Sequence, residues 1–357
     1  MQLLKESIEF PNLFSGDIEI SRVAFTIFGI DIYWYGILIA IGVVLAFTYA
    51  MKTSKKFGLI SDNVFDTAFI AVIAGFIGAR AYYCIFYNLM NPEAANKYNI
   101  ITMFTKIHDG GLAIYGGVII GVITALIVCR IKKSPLLPLL DVAAPAFLIG
   151  QAIGRWGNFV NQECFGAPTA GELPWGMTGT TIALDPIVIE AESNNITNAP
   201  VLVHPCFLYE SLWCVIGLLL IHFVGRRARK FDGEVFLYYV LWYGAGRGWI
   251  EGLRTDSLYA GSVKVSQVIA IASAVLALIM IIYFRVTAAK SEKLLYADTE
   301  QSKERLEEFT KKQMLEKENA AAKKAMKEAE KVQNAAKAPS ILGDEDDREE
   351  KIDGNNV

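Results

Sequence analysis

Charge is scarce over most of this chain. The first 287 residues hold only 40 of its 71 Asp, Glu, Lys and Arg side chains, and the last 70 hold the other 31. The front is therefore about 14% charged and the tail about 44%, on either side of the roughly 25% of an average soluble domain. Front charges balance at 20 basic and 20 acidic, so no excess points to nucleic acid. Cysteine is also sparse: Cys84, Cys129, Cys164, Cys206 and Cys214 are odd in number, lack CxxC spacing and sit mostly in apolar runs. Neither a disulfide framework nor a zinc site is expected, and free Cys in such runs acts as a small hydrophobe. The opening MQLLKESIEFPNLF has no continuous apolar h-region, so no cleavable signal peptide is expected. HExxH, GxSxG and an internal repeat are missing as well. These absences argue against an intramembrane hydrolase of known motif and against the many transporters built from repeats.

What remains is apolar runs. A membrane helix needs about 20 mostly apolar residues. Seven stretches qualify or nearly do: about Ile32–Met51, Val64–Phe86, Leu112–Cys129, Leu136–Ile153, Phe207–Val224, Val235–Ile250 and Val265–Phe284. The fourth is the weakest, because Asp141 and two prolines interrupt it. Basic clusters follow every odd span: Lys52, Lys55 and Lys56; Arg130, Lys132 and Lys133; Arg226, Arg227, Arg229 and Lys230; Arg285, Lys290 and Lys293. Short cytoplasmic loops are the ones enriched in Lys and Arg. The pattern predicts an all-α polytopic membrane protein of seven transmembrane helices, N-terminus outside and C-terminus cytoplasmic. The domain expectation is a membrane unit over 1–287 and a charged cytoplasmic tail over 288–357, helical and then disordered. Residues 167–203 form a long extracytoplasmic insertion or head, with a strand suggested at Thr181–Leu184 and Ile187–Ile189 and a sequon at Asn195-Ile196-Thr197.

Charges inside spans are costly and usually functional. Arg80 lies in GARAYY; Arg155, Asn158, Asn161 and Glu163 in GRWGNFVNQECFG; His204 and Glu210 in HPCFLYE; Arg247, Glu251 and Arg254 in YGAGRGWIEGLR. In the predicted topology the last three groups share the outer face. Each residue alone has an ordinary reading. Arg247 and Glu251, at i and i+4, would neutralise each other. Arg80 would snorkel or bind a backbone carbonyl. His204 would cap a helix, and the asparagines would bond between helices. The glycines of GGLAIYGG (Gly110–Gly117) would allow close backbone approach or merely helix packing. Together, two or three arginines at headgroup depth suit an anionic phospholipid phosphate, since guanidinium binds phosphate bidentately.

With WYG (Trp34–Gly36), GGLAIYGG, HPCFLYE and YGAGRGWIEGLR, the stretch GRWGNFVNQECFG resembles the bacterial phosphatidylglycerol–prolipoprotein diacylglyceryl transferase family. The resemblance spans about residues 20–285 and leaves out the charged tail. It implies transfer of the diacylglyceryl group of phosphatidylglycerol to the lipobox cysteine of a preprolipoprotein, at the outer face of the bacterial plasma membrane. A thioether forms and glycerol phosphate leaves; no cofactor or metal is implied, and the partners are the lipid, the lipobox peptide and the bilayer. By motif, Arg155 matches the phosphate-binding arginine, with Asn158, Asn161, Glu163 and Gly166 completing that signature. Arg247 matches a second important arginine, flanked by Tyr243 and Glu251, and Tyr35 matches the tyrosine of the first span. Many members carry His where this chain has Tyr115. A tyrosine, with an ordinary pKa near 10, is a poor base at neutral pH. Either Tyr115 orients the substrate or the base lies elsewhere, with His204 and Glu163 as candidates. A transporter and a scaffold organised by the tail remain as rival readings at this point.

Overall fold

The computed structural model describes residues 6–91, 100–105, 111–169, 173–194, 201–257, 259–290 and 294–336. The sequon at 195–197 and the acidic end after 336 lie outside the described residues. Contacts divide the chain into one unit ending at Leu306 and a second beginning at Glu307.

Four short strands open the first unit: β1 (Glu6–Glu9), β2 (Asp17–Ile20), β3 (Val23–Ile27) and β4 (Ile30–Tyr33). Helices α1 (Trp34–Ser54), α2 (Ser61–Met90), α3 (Ile100–Thr105), α4 (Ile114–Ile131) and α5 (Leu136–Asn161) follow. Then come β5 (Pro168–Thr169), β6 (Thr178–Gly179), α6 (Pro186–Ser193) and β7 (Leu202–Val203). The rod α7 (Cys206–Leu220) continues through a π turn at Ile221–Gly225 into α8 (Arg226–Ala228). The chain goes on with α9 (Glu234–Leu253), β8 (Tyr259–Ala260), β9 (Val263–Lys264), α10 (Val265–Ala289) and α11 (Glu300–Ala336).

Among the described residues, six helices are long and apolar enough to cross a membrane: Trp34–Phe57, Ser61–Met90, Ile114–Ile131, Leu136–Asn161, Cys206–Ala228 and Val265–Ala289. The protein is thus mostly helical and polytopic by composition. The interrupted fourth stretch is among the six. Its Asp141 is fully buried and accepts from Gly233 N (2.7 Å) and Phe236 N (2.9 Å), so its charge caps the start of α9. Pro138 falls in the first turn of α5, where a missing N–H costs nothing. Of the seven expected stretches, the one outside the six falls in α9, which carries Glu234, Arg247 and Glu251 in its 20 residues.

Two expectations are corrected. The chain is not all-α: a three-stranded sheet in the order β2-β1-β6 ties the N-terminal hairpin to the 167–203 segment. Its antiparallel register pairs Ile8 with both Ile18 and Gly179, and Ile8 is fully buried. The strand suggested at 181–189 is instead a 3-10 turn at Ile182–Leu184 followed by α6. Asp185 caps that helix by accepting from Ile187 N, and Pro186 stands at its first position, where a fixed φ favours helix.

The head is fastened to the bundle by Gln162, which ends α5 in a left-handed conformation and is 2% exposed. Its amide accepts from Thr181 N (2.9 Å) and donates to Glu6 (3.2 Å). At the opposite end, Gly58 (φ +74) lies against Ala297 and Ser302. The buried Ser302 hydroxyl donates to Gly58 O at 3.0 Å, and Arg305 Nη1 donates to Lys133 O at 2.8 Å. The compact unit extends beyond residue 287 to Leu306 because of these bonds.

Candidate active site

Three helices deliver charge to one point. Glu210, in the first turns of α7, is 5% exposed, and both its carboxylate oxygens are used. Oε2 lies 2.7 Å from Arg155 Nη2 on α5. Oε1 accepts from Arg247 Nη1 on α9 (3.0 Å) and from Arg254 Nη1 just past α9 (3.2 Å). A buried carboxylate needs partners of this kind, because an isolated one is strongly disfavoured.

The arginines are not equivalent. Arg254 is clamped by Asp256, Nε to Oδ1 at 2.9 Å and Nη2 to Oδ2 at 2.8 Å, so its fork is fully engaged. Burial opposes its charge, but the hydrogen bonds it donates to Asp256 raise its pKa above the ordinary arginine range. Burial would raise the Asp256 pKa too, yet the Arg254 bond and charge bring it below the usual carboxylate value. Arg155 and Arg247 retain 20% and 18% side-chain exposure. Arg247 Nη2 also lies 2.6 Å from Glu251 Oε2. Three guanidinium groups thus face three carboxylates, and the cluster is balanced.

A polar relay leads outward from it. Arg155 Nη1 donates to Asn158 Oδ1 (3.2 Å), and Asn158 Nδ2 donates to Glu163 Oε1 (2.8 Å). Asn161 Nδ2 reaches the same oxygen at 3.4 Å. Tyr35 packs on the position where a Cβ on Gly157 would stand, within electrostatic reach of Glu163 and Arg155. Tyr243, one turn before Arg247, is within reach of Arg155 and Glu210. A cavity of about 10 Å³ lies between Glu210, Tyr243 and Arg247. It is only water-sized.

Gly166 holds the relay's loop in place. Its N–H donates to His204 O (2.9 Å), and a Cβ there would lie 2.7 Å from His204 Cβ and 3.1 Å from Leu253 O. Cys164, next to it, has its thiol pushed up to about 11 by burial, against the pull of Arg254. The thiol form is therefore favoured at neutral pH.

His204 and Tyr115 do not bond to the arginine cluster among the described residues. His204 Nδ1 is 3.2 Å from Tyr209 OH, which also accepts from Trp175 Nε1 at 2.6 Å. Burial lowers the His204 pKa from its ordinary 6.5. Tyr115, half-exposed, starts α4. Arg80 is 1% exposed and binds carbonyls, with Nε donating to Met103 O (2.9 Å) and Nη1 to Gly111 O (3.0 Å). It pins the segment leading to Tyr115. Glu210 and Arg254 stood among the charges noted in the sequence without a site role, and Asp256 was not noted. The available signal was Glu210 itself, a carboxylate in an apolar helix that had to find cations.

A mostly helical polytopic membrane protein with a balanced arginine–carboxylate cluster at the ends of three helices is the class that fold and site define. The model of the prolipoprotein diacylglyceryl transferase family matches residues 22–283, and this chain belongs to that family. It is 42% identical over 271 residues to the phosphatidylglycerol–prolipoprotein diacylglyceryl transferase of Finegoldia magna, covering 76% of this chain and 98% of that protein. The enzyme of the same name from Clostridioides difficile is 39% identical over 262 residues, covering 73% and 94%. That from Oceanobacillus iheyensis is 39% identical over 275 residues, covering 76% and 90%.

Proposed function

We propose that this chain transfers the diacylglyceryl group of phosphatidylglycerol to the lipobox cysteine of preprolipoproteins, the first step of lipoprotein maturation. The observation that carries the mechanism is the meeting of Arg155 and Arg247 on the two oxygens of Glu210.

In the reaction the substrate sulfur attacks the terminal glycerol carbon, the carbon–oxygen bond to phosphorus breaks, and a carbon–sulfur bond forms. The thiol proton is released, and the bond electrons leave with glycerol phosphate. The phosphodiester enters with one negative charge and leaves as a monoester able to carry two. Catalysis therefore requires donors that respond to charge as it grows. A balanced cluster suits this: it gains little from the ground state, while the exposed edges of Arg155 and Arg247 meet the developing charge. Arg254, engaged by Asp256, positions Glu210. Asn158, Asn161 and Glu163 hold Arg155 and offer polar groups to the glycerol headgroup, with Tyr35, Tyr243, Glu251, Gly166 and His204 shaping the surroundings. Tyr115 orients the reactants. The incoming thiol has an ordinary pKa near 8.5, so a few per cent is already thiolate at pH 7.

The reading places seven spans in a bacterial plasma membrane, α9 counted with the six apolar helices, with the N-terminus and the cluster outside and the basic loops inside. It assigns residues 1–287 to the transferase and the remainder to a cytoplasmic appendage. The test is purified protein with phosphatidylglycerol and a lipobox peptide, read by mass spectrometry for the diacylglyceryl adduct. Folded protein that yields no adduct refutes the reading.

A further inference from the structure

The seam between α7 and α9 contains a second cavity, separate from the cluster. The helices are locked at mid-seam by Trp213 and Trp242, stacked with centroids 4.4 Å apart. Each indole N–H donates to the other's carbonyl oxygen at 2.8 Å. Gly217 and Gly246 leave room for the two rings. Trp213 faces the small cavity at Glu210, and Trp242 faces a groove of about 320 Å³ running the other way. The stacked pair is a wall between them.

The groove is apolar, lined by Leu220, Val224, Gly225 and Ala228 on one side and Leu241 and Trp242 on the other. It opens where α7 widens into the π turn Ile221–Gly225, a distortion often found at functional sites. Val224 and Leu220 are 60% and 45% exposed, so the groove faces outward. Its volume falls at the low end of ligand sites, roughly 300–1,000 Å³.

The far end of the groove is basic. Arg285, 41% exposed at its side chain, donates from Nη2 to Ala228 O (3.0 Å) and to the hydroxyl of Tyr238, another lining residue. Its Nε bonds buried Glu234, which also accepts from Lys230 N and Tyr238 OH, so that acid is satisfied. Arg285 Nη1 has no partner among the described residues. Arg227, next in the chain to the lining residue Ala228, is exposed and forms no ion pair among the described residues. An apolar groove that ends beside the exposed Arg227 and the unbonded Nη1 of Arg285 suits a ligand with an apolar chain and an anionic head.

We propose that this groove is a structural site for an anionic phospholipid of the leaflet opposite the arginine–glutamate cluster. One acyl chain lies along Leu220, Val224 and Trp242, and the phosphate meets Arg227 and Arg285. Basic pockets between helices at a membrane surface bind anionic headgroups in this manner. The Trp213–Trp242 wall keeps this lipid apart from the one at Glu210.

The test is photo-crosslinking in nanodiscs holding an excess of phosphatidylcholine over phosphatidylglycerol. Benzoyl-phenylalanine replaces Phe223, beside the groove, and in a control replaces the exposed Val275 of α10. The expected result is a higher anionic-to-zwitterionic adduct ratio at 223 than at 275. Arg227→Gln should lower that ratio roughly fivefold, the equivalent of one basic contact near the surface. Val224→Trp, which fills the groove, should bring it to the control value. Because Arg285→Gln strips a partner from Glu234, Arg227→Gln is the decisive variant. Equal ratios at 223 and 275, or a ratio unmoved by Arg227→Gln, would overturn the proposal.

Discussion

Replacing Glu210 by Gln keeps its volume and removes the charge that Arg155, Arg247 and Arg254 share. In the native cluster, with contacts of 2.7, 3.0 and 3.2 Å, each arginine is compensated. At an effective dielectric near 20, each pair with charges about 4 Å apart is worth roughly 4 kcal/mol before desolvation. Desolvation offsets much of this, and breaking one buried pair costs about 3–5 kcal/mol in practice. A Gln amide also presents N–H to arginine N–H on one side, so one guanidinium loses its acceptor outright. Arg155 and Arg247 then drift from the position of the developing phosphate charge. Loss of one aligned oxyanion donor lowers kcat by about 10²–10³, and Glu210→Gln should fall in that range. The assay is transfer of labelled diacylglycerol to a lipobox peptide, with thermal unfolding in detergent run in parallel to separate inactivation from misfolding. A folded Glu210→Gln protein within about threefold of the native rate would refute the argument. A faster one would mean that Glu210 competes with the substrate phosphate for the arginines.

Arg155→Ala and Arg247→Ala should each lower transfer by about 10² or more, while near-native rates would remove that residue from the mechanism. Without a dedicated base, log kcat/KM should rise with pH at a slope near one up to about pH 8.5, the substrate thiol's own pKa, and then level. His204, held neutral by burial below its ordinary 6.5, should add no limb above that pH, so His204→Gln should leave the shape of the profile unchanged. Tyr115→Phe tests the hydroxyl: an unchanged rate would eliminate it, and Tyr115→His should be tolerated if the position only orients substrate. Gly58→Ala sets a side chain at φ +74 against Ala297 and Ser302, and should destabilise the docked 294–306 segment by roughly 1–3 kcal/mol. Limited proteolysis of that segment reads this loss. Truncation after Leu306 should leave the melting temperature unchanged, whereas truncation after Lys293 should lower it.

Apolar runs and basic loops made the long helices legible, because length and hydropathy suffice to identify them. Partnership was not legible. Asp141 made α5 look like the weakest span, since nothing local shows that Gly233 and Phe236 supply its hydrogen bonds from 92 and 95 residues away. The sheet that joins the head to the N-terminal strands escaped notice for the same reason. Its strands have four residues or fewer in β1, β2 and β6, too short for alternation to stand out, and the sheet forms only when Ile8 meets Gly179. At the site, the two arginines were found individually, and the ordinary reading of Arg247 with Glu251 also proved geometrically true. The two contacts of Arg247 coexist because a guanidinium has donors to spare. One edge of Arg247 is neutralised within its helix while the next Nη is shared with Glu210 across helices. GGLAIYGG shows how a packing role fixes a polar one. Gly116 and Gly117 lie against Gly78 and Gly75 of α2, so the glycines serve close helix contact. That contact, with Arg80 bonded to Gly111 O, is what fixes the start of α4 and therefore Tyr115. Enlarging Gly116, where a Cβ would meet Gly78 O and Tyr82, should then impair transfer by displacing the start of α4 and with it Tyr115.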